Sequence, residues 1–343
     1  MAICFRITGD PMRAGMVGAM IARYCGGENC VIVPQDRSAV NANTAVLMRP
    51  DYLRFHAELQ IDPAQISRLG DARPVYAYRP IEARAAPLIP FSPFGQSAQG
   101  IEFHQLWLRA DQVKTQPPLE TFSTAIALAD RDAAEPARQL NLASGIECSR
   151  VSYAQLLLGQ ARRLGARVES ELDSRHSDIV IDCDASEEAG AVAWDENRIT
   201  VAPAAILAGE EWQAVLNAAR RIVAMVASQA DALAERQEFN RLSTASAERM
   251  ADFRALVTEE DPRKSERPAL QRKIEVFEAC GRIPTEDYEV FAPFEWLAVL
   301  WAQGIRPHRH ERLAERMPEA DLLNWMGNAH AQAQSTLLRG AAL

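Results

Sequence analysis

The hydrophobic pattern at the N-terminus predicts a βαβ unit. Residues 3–8 alternate between apolar and polar side chains, as a strand does, and residues 16–24 have the spacing of a helix with one apolar face. The short apolar run 30–33 is typical of a buried parallel strand. Because a turn at 9–15 that contains glycine joins the first strand to the helix, residues 3–33 have the arrangement of a dinucleotide-binding unit.

The pattern continues with further α/β elements beyond a proline-rich middle stretch. The segment GIEFHQLWLRA, residues 100–110, is a strand candidate. A helix is predicted from Ser152 to Leu164, and buried strands are predicted at 178–183 and 198–201. A helix with an apolar stripe from Trp212 to Val226 follows.

The last third of the chain differs from the rest in composition. Residues 229–343 are rich in Ala, Glu and Arg and have helical spacing with few strand signals. The predicted fold class is therefore α/β, with a Rossmann-like core of the FAD/NAD(P)-binding type and a largely parallel sheet, plus a helical C-terminal region. The expected domains are a core at 1–228 and a helical region at 229–343 that packs on it.

Composition and charge narrow the classes of function. The 343 residues are 48% apolar, which is enough for a large core. The net charge of −9 argues against nucleic acid or an anionic membrane surface as partner. The six cysteines have no spacing typical of a zinc site, so no metal is expected, and free thiols fit a cytoplasmic location. The apolar runs are too short for a signal peptide or a membrane span.

Four segments, in order along the chain, carry a resemblance to a known family. They are the N-terminal region through LRFHAELQID, the stretch PFSPFGQ with the following GIEFHQLWLR, the strand IVIDC, and the aromatic segment 284–317. Together they resemble the flavin-dependent tryptophan halogenases. The resemblance implies an FAD cofactor, a separate reductase that supplies reduced flavin, and a small aromatic substrate.

The chain departs from the family on the substrate side. It is considerably shorter, and the sequence after IVIDCDAS continues almost directly to WDENRITVAPAA. The sheet that carries the family's Trp-x-Trp-x-Ile-Pro motif is therefore expected to be largely missing.

The flavin-binding motifs are also altered. The three glycine positions of the dinucleotide fingerprint fall on Gly9, Pro11 and Ala14. Proline adds bulk and removes an N–H group where the pyrophosphate would approach. The acid expected after the second strand falls on Pro34, and the adjacent Gln35 and Asp36 are candidate substitutes.

Two later flavin motifs are degraded as well. In the stretch VNANT the family's acid is replaced by Ala42, whereas Thr44 is retained. The Gly-Asp motif falls on Ala202-Pro203, and Ala204 and Ala205 follow it. By resemblance, the cofactor-binding positions are Gly9, Ala14, Thr44, Ala204 and Ala205, and we expect FAD to bind weakly or not at all.

The positions that do the chemistry in the family are only partly kept. The lysine that directs the oxidant falls on Val75, and the glutamate near the substrate falls at or beside Glu211. Phe94 and Trp296 are the positions expected to line a substrate pocket. A carboxylate at the start of a helix is also favourable whatever its function, so a structural role for Glu211 stays open.

Two hypotheses about function follow from this sequence. The first is a non-catalytic halogenase-like protein that acts by binding, through pairing with a second copy of itself or with an active halogenase paralogue. The second is a divergent FAD-dependent halogenase or monooxygenase that uses reduced flavin from a separate reductase. An unrelated ligand in the former FAD groove is a third reading.

Overall fold

A six-stranded sheet organises the first half of the protein. The computed structural model describes residues 3–35, 44–81, 86–130, 142–171, 177–184, 191–204, 206–226 and 233–340. The strands of the sheet are β1 (Phe5–Gly9), β2 (Cys30–Pro34), β8 (Arg167–Val168), β9 (Ile179–Cys183), β10 (Ala191–Asp195) and β11 (Arg198–Ala202). Their order is β10-β11-β9-β1-β2-β8, and only the β10–β11 pair is antiparallel. The predicted α/β class with a largely parallel sheet is therefore confirmed.

Helices cover this sheet with apolar faces. The principal ones are α1 (Pro11–Ile21), α6 (Arg150–Arg163) and α7 (Glu210–Met225), and α1 packs against both of the others. The side chains of Ile7, Ile32 and Ile181, on neighbouring strands, are fully buried in the core. Burial on this scale is the main source of stability in such a layer.

The first helix begins earlier than the sequence pattern indicated. The expected turn at 9–15 is wrong, because the helix starts at Pro11. Asp10 is its N-cap, and proline at the first helical position is favoured by its fixed φ angle. After Ile21 the chain continues as a π-helical segment, Ala22–Gly26.

The first unit also contains a smaller sheet and two short helices. By its contacts, this unit comprises residues 1–73 and 145–247. In the smaller sheet, β3 (Ala45–Met48) pairs antiparallel with β7 (Gly145–Ser149). The short helices are α2 (Tyr52–Glu58) and α3 (Pro63–Ser67).

The second unit is mainly helical and comprises residues 74–144 and 248–343. Its helices are α4 (Phe103–Val113), α5 (Thr124–Asp130), α9 (Pro268–Cys280), α10 (Pro293–Ala302) and α11 (Glu319–Gly340). Two short strands, β5 (Ala77–Tyr78) and β6 (Ile89–Pro90), pair antiparallel within it. The elements β4 (Arg73–Val75) and α8 (Leu233–Thr258) begin in the first unit and end in the second.

Residues 100–110 do not form the strand that was expected. Their central part is helix α4, in which Phe103, Leu106, Trp107 and Ala110 are buried. These positions follow the spacing i, i+3, i+4 and i+7, which is the spacing of one helix face rather than of a strand.

The division into units differs from the expected ranges 1–228 and 229–343. The proline-rich segment after Pro74 groups with the C-terminal helices, and the chain returns to the first unit at Gly145. The helical character predicted for 229–343 is confirmed. Among the described residues, no helix has the length and apolar character needed to cross a membrane.

Candidate functional site

The turn between β1 and α1 is shaped by close backbone packing at Gly9. Its φ angle is +106°, a value that side-chain-bearing residues rarely adopt. A Cβ atom at this position would lie 2.6 Å from the backbone nitrogen of Asp184, in the turn after β9. The glycine is therefore required by the fold itself, whatever the turn binds.

The N-terminus of α1 is capped by the protein's own carboxylate. Oδ1 of Asp10 accepts hydrogen bonds from the backbone nitrogens of Met12 and Arg13, at 3.1 and 3.0 Å. Pro11, the first helical residue, has no N–H group, and the nitrogen of Ala14 donates to the carbonyl of Asp10. The first turn thus satisfies its donors within the chain.

Two arginines and two carboxylates form a largely buried charge cluster at this helix end. Arg150 donates from Nη1 and Nη2 to both oxygens of Glu211, at 2.7 and 2.8 Å, and lies 2.9 Å from Asp10. Arg13 donates from Nε to Glu211 at 2.6 Å and from Nη1 to the carbonyl of Cys183 at 3.3 Å. The side chains of Arg13 and Arg150 are 10% and 9% exposed. We call Asp10, Arg13, Arg150 and Glu211 the charge cluster.

The electrostatics of the charge cluster favour the ionised forms of Glu211 and Arg150. Burial acts to raise the pKa of Glu211, but the hydrogen bond from Arg150 and the charges of Arg13 and Arg150 outweigh it, so this pKa lies below its usual value. Burial likewise opposes the charge of Arg150, yet its bonds to Glu211 and Asp10 raise the pKa of Arg150. A carboxylate in this state accepts hydrogen bonds and is a poor base.

The loop before α7 is tied to the start of that helix by a buried glutamate. Oε2 of Glu210 accepts from the backbone nitrogens of Ile206 and Leu207, both at 2.9 Å, and Glu210 is fully buried. Ala204 lies in the loop before this helix and is exposed, whereas Ala205 lies outside the described residues.

Thr44 comes immediately before β3 and lies beside the charge cluster. Its carbonyl oxygen accepts a hydrogen bond from the backbone nitrogen of Arg150, at 3.1 Å. Four of the positions taken from the resemblance, Gly9, Ala14, Thr44 and Glu211, are therefore brought together around the N-terminus of α1. Ala42 lies outside the described residues, as do all residues from 36 to 43.

The second unit contains a cavity of about 340 Å³. Its walls are mostly apolar and include Leu88, Phe94, Ile126 and Trp301, and it also has charged groups from Arg79 and Glu120. The aromatic residue of α10 that lines this cavity with Phe94 is therefore Trp301. Pockets with apolar walls and a few polar groups are typical of small-molecule sites.

Trp296, the other residue expected at a substrate pocket, is a core residue. It is only 1% exposed; the ammonium group of Lys273 lies 4.2 Å from its ring centroid, and the ring of Phe253 meets it edge-on at 5.0 Å. Lys273 is itself held by Glu289 and by the carbonyl of Pro284, which is 2.7 Å away.

The lysine position of the resemblance carries no ionisable group. Val75 ends β4 and is half-buried. Of the three lysines, Lys114 and Lys264 are exposed, and Lys273 is buried in the ion pair with Glu289. Within the described residues, no group of His, Cys, Asp and Glu side chains could hold a metal ion.

The sequence reasoning missed three of the four members of the charge cluster. Asp10 followed by Pro11 is a signal for the start of a helix and could have placed Asp10 at the cap. No local pattern shows that Arg13 and Arg150 converge on Glu211, because the three residues are far apart along the chain.

Comparison with known proteins supports the family resemblance. A family model described as tryptophan halogenase matches residues 190–319. No curated protein matches the sequence.

The fold is that of solved halogenases. Xcc4156, a flavin-dependent halogenase from Xanthomonas campestris, superposes with a TM-score of 0.82 at 14% identity, covering 99% of this chain and 96% of that one. BrvH, a flavin-dependent halogenase from Brevundimonas sp. BAL3, has a TM-score of 0.82 at 17% identity, covering 98% and 97% of the two chains. The tryptophan 6-halogenase SttH from Streptomyces toxytricini has a TM-score of 0.74 at 12% identity, covering 97% of each chain. The resemblance to the flavin-dependent tryptophan halogenases is therefore confirmed.

Proposed function

We propose that this chain is a non-catalytic protein with a halogenase fold, which acts by binding rather than by flavin chemistry. The observation that carries the proposal is the cap of α1. Where a dinucleotide-binding protein offers the helix N-terminus to a pyrophosphate, this chain fills it with the carboxylate of Asp10.

The residues at this turn do not fit a pyrophosphate group. Pro11 contributes no N–H group, and those of Met12 and Arg13 already donate to Asp10. The nearby guanidinium groups of Arg13 and Arg150 are already paired with Glu211 and Asp10, so a phosphate could use them only by breaking these ion pairs.

The start of α7 gives independent support. In the family this helix follows the Gly-Asp motif, which here falls on Ala202-Pro203. The buried carboxylate of Glu210 ties the preceding loop to the helix through the nitrogens of Ile206 and Leu207. Backbone donors that a cofactor could use are therefore engaged within the chain.

The catalytic positions support the same conclusion. Val75 has no amine that could bind or direct an oxidant. Both oxygens of Glu211 are held by the guanidinium groups of Arg13 and Arg150. Glu211 is therefore proposed to be a structural residue of the charge cluster, and the catalytic role implied by the resemblance is the less favoured reading.

The mode of binding is proposed to be pairing with another protein. A second copy of this chain or an active halogenase paralogue is the partner class that the retained fold suits best. Co-expression with a flavin-dependent halogenase, followed by light scattering on the purified species, measures the mass of any complex. A monomer that neither self-associates nor changes the activity of the halogenase would contradict this part of the proposal.

The second candidate is a divergent FAD-dependent halogenase or monooxygenase that receives reduced flavin from a separate reductase. It is favoured by the extent of the structural match, since Xcc4156 and BrvH, both described as flavin-dependent halogenases, are matched over nearly their whole length. The cavity with Phe94 and Trp301 would then be its substrate site.

A halogenation assay separates the two candidates. The protein is incubated with free tryptophan, a flavin reductase, FAD, NADH and bromide or chloride, and products are analysed by mass spectrometry. We expect no product above the background given by reductase and flavin without the protein, and the same result for Val75→Lys. Halogenated tryptophan that forms with the protein and is lost in Glu211→Gln would establish the second candidate.

A further inference from the structure

The four members of the charge cluster lie at three helix N-termini. Asp10 is the N-cap of α1 and Arg13 its third residue, Arg150 is the first residue of α6, and Glu211 is the second residue of α7. The N-terminal end of a helix carries a partial positive charge. Two guanidinium groups at such ends are therefore unfavourable unless anions lie beside them.

The anions that offset these charges are supplied by the chain. Asp10 and Glu211 bring two negative charges to the two positive charges of Arg13 and Arg150, so the charge cluster is neutral as a whole. Glu211 accepts three hydrogen bonds from the two arginines, and both arginine side chains are about nine-tenths buried. Charge-assisted pairs of this geometry are the strong class of hydrogen bonds.

We infer that the carboxylates of Asp10 and Glu211 act as a built-in substitute for the phosphates of a dinucleotide. They satisfy the helix N-terminus and the two arginines that a cofactor's pyrophosphate would otherwise satisfy. This inference rests on the proposed function and goes beyond it, because it states that an anion site exists beneath the carboxylates. Neutralising them should expose it.

The arrangement explains why an external phosphate does not compete. A phosphate would have to separate Glu211 from two buried arginines and displace Asp10 from the nitrogens of Met12 and Arg13. Breaking one side of a buried ion pair leaves an uncompensated charge, which is strongly unfavourable. With both carboxylates made neutral, the same arginines and helix ends would attract a dianion.

The test uses the double variant Asp10→Asn/Glu211→Gln of the full chain. Asparagine is as good an N-cap as aspartate and keeps its acceptor oxygen, and the glutamine of Glu211→Gln keeps one of the two acceptor oxygens of Glu211. Binding of inorganic pyrophosphate and of ADP is measured by isothermal titration calorimetry at low salt. Circular dichroism and thermal unfolding establish that each variant is folded.

Two matched controls isolate the effect of position. Asp51→Asn/Glu58→Gln removes the same two charges from the ion pairs of Arg220, which lie elsewhere in the same unit. Arg13→Gln/Glu211→Gln changes the charge cluster but keeps its net charge. Neither control is expected to gain affinity for pyrophosphate.

We expect the Asp10→Asn/Glu211→Gln variant to bind pyrophosphate at least about tenfold more tightly than the wild type. The free energy of one hydrogen bond to a charged group corresponds to about a tenfold change in affinity or more. The gain should shrink as NaCl is raised, because it is electrostatic. A folded double variant that binds no tighter than the wild type, or an equal gain in either control, overturns the inference. If the double variant does not fold, Glu211→Gln alone is measured against Glu58→Gln with the same criterion.

Failure of the proposed function has a different signature. It would appear as flavin binding or halogenation by the wild type. The inference instead depends on the difference in pyrophosphate affinity between the wild type and the neutralised variants.

Discussion

Arg150 and Glu211, 61 positions apart in the chain, form a two-bond ion pair that joins the start of α6 to the start of α7. Glu211 also accepts from Arg13 in the first turn of α1. Three helices that pack around the sheet are thus tied together at one end by a single carboxylate, at the place where the resemblance put a catalytic group.

Replacing Glu211 by alanine should therefore lower stability strongly. The substitution leaves the buried guanidinium groups of Arg13 and Arg150 without their shared anion, and the loss of one side of a buried ion pair costs about 3–5 kcal/mol. The measurement is the free energy of unfolding in urea. Glu211→Gln, which keeps an acceptor oxygen, should lose clearly less than Glu211→Ala.

Acid should also remove the contribution of the Glu211 carboxylate to the free energy of unfolding. Since the pKa of Glu211 is lower in the folded protein than its ordinary value of 4.5, the stabilisation by Glu211 is present above pH 4.5 and is lost as the pH falls through the folded-state pKa.

The control for Glu211→Ala is Glu238→Ala, at an exposed ion pair with Arg241, which should leave the urea midpoint unchanged. Equal losses in the free energy of unfolding in Glu211→Ala and Glu238→Ala would contradict the claim that the buried ion pairs of Glu211 stabilise the fold.

A second prediction concerns Gly9. Gly9→Ala forces a residue with a side chain to a φ angle of +106° and places its Cβ against the backbone of Asp184. We therefore expect the free energy of unfolding to fall by about 2–4 kcal/mol. Gly159→Ala, inside α6, is the matched control because its Cβ would meet no other atom, and it should gain about 0.5–1 kcal/mol. Thermal unfolding of both variants decides the point. An unaffected melting temperature in Gly9→Ala would contradict the tight packing at this turn.

The parts of the fold that could be predicted from the sequence are those with a local pattern. Alternation and short apolar runs located β1, β2, β9 and β11, because each strand is buried in one sheet and its pattern depends only on neighbouring residues. The helix at 103–113 was mistaken for a strand, although its buried positions follow a helical period.

The charge cluster could not be predicted in the same way. It depends on contacts between Asp10, Arg13, Arg150 and Glu211, which only the three-dimensional packing of three helices creates. Similarly, the choice of Trp301 over Trp296 at the cavity depends on the rotation of α10, which the aromatic composition of the segment does not specify.

The third prediction concerns a buried group of hydrogen-bonded side chains, which comprises His56, Tyr153 and Trp212. Trp212 donates from Nε1 to the hydroxyl of Tyr153 at 3.2 Å, and the hydroxyl lies 3.0 Å from Nε2 of His56. Tyr153→Phe leaves a buried ring nitrogen and a buried indole N–H without their partner, so we expect a loss of about 1–3 kcal/mol in the free energy of unfolding. Tyr24→Phe, at an exposed tyrosine, should cause no measurable change.

His56 also gives the protein a stability that depends on pH. Burial lowers the pKa of His56 from 6.5 to about 4, so the folded protein favours the neutral ring. Between pH 6.5 and pH 4, His56 binds its proton more tightly in the unfolded chain than in the folded protein. The contribution of His56 should therefore lower the free energy of unfolding by about 3 kcal/mol as the pH decreases from 6.5 towards 4. Urea unfolding at several pH values measures it. A His56→Gln variant with the same slope in this range would contradict the assignment.

Lys273 supplies a fourth prediction. Lys273→Met removes the cation paired with the buried carboxylate of Glu289 and the contact with the Trp296 ring. Because Glu289 is then left without its partner, we expect the free energy of unfolding to fall by about 3–5 kcal/mol. Lys264→Met removes an exposed lysine from its ion pair with Asp261 and should leave the melting temperature unchanged. If the two lysine variants unfold at the same temperature, the Lys273 pair is not a structural support of the second unit.

The most direct measurement of the central claim is a flavin titration of the purified wild type. FAD, oxidised and then reduced under anaerobic conditions, is added to the protein, and binding is followed by calorimetry and by the absorbance of the flavin after gel filtration. With Asp10 and Glu211 at the site of the pyrophosphate, we expect a colourless protein and no saturable binding up to about 1 mM flavin. A protein that purifies yellow with one flavin per chain, or that binds reduced FAD with micromolar affinity, would contradict the claim that the chain has replaced its cofactor by its own carboxylates.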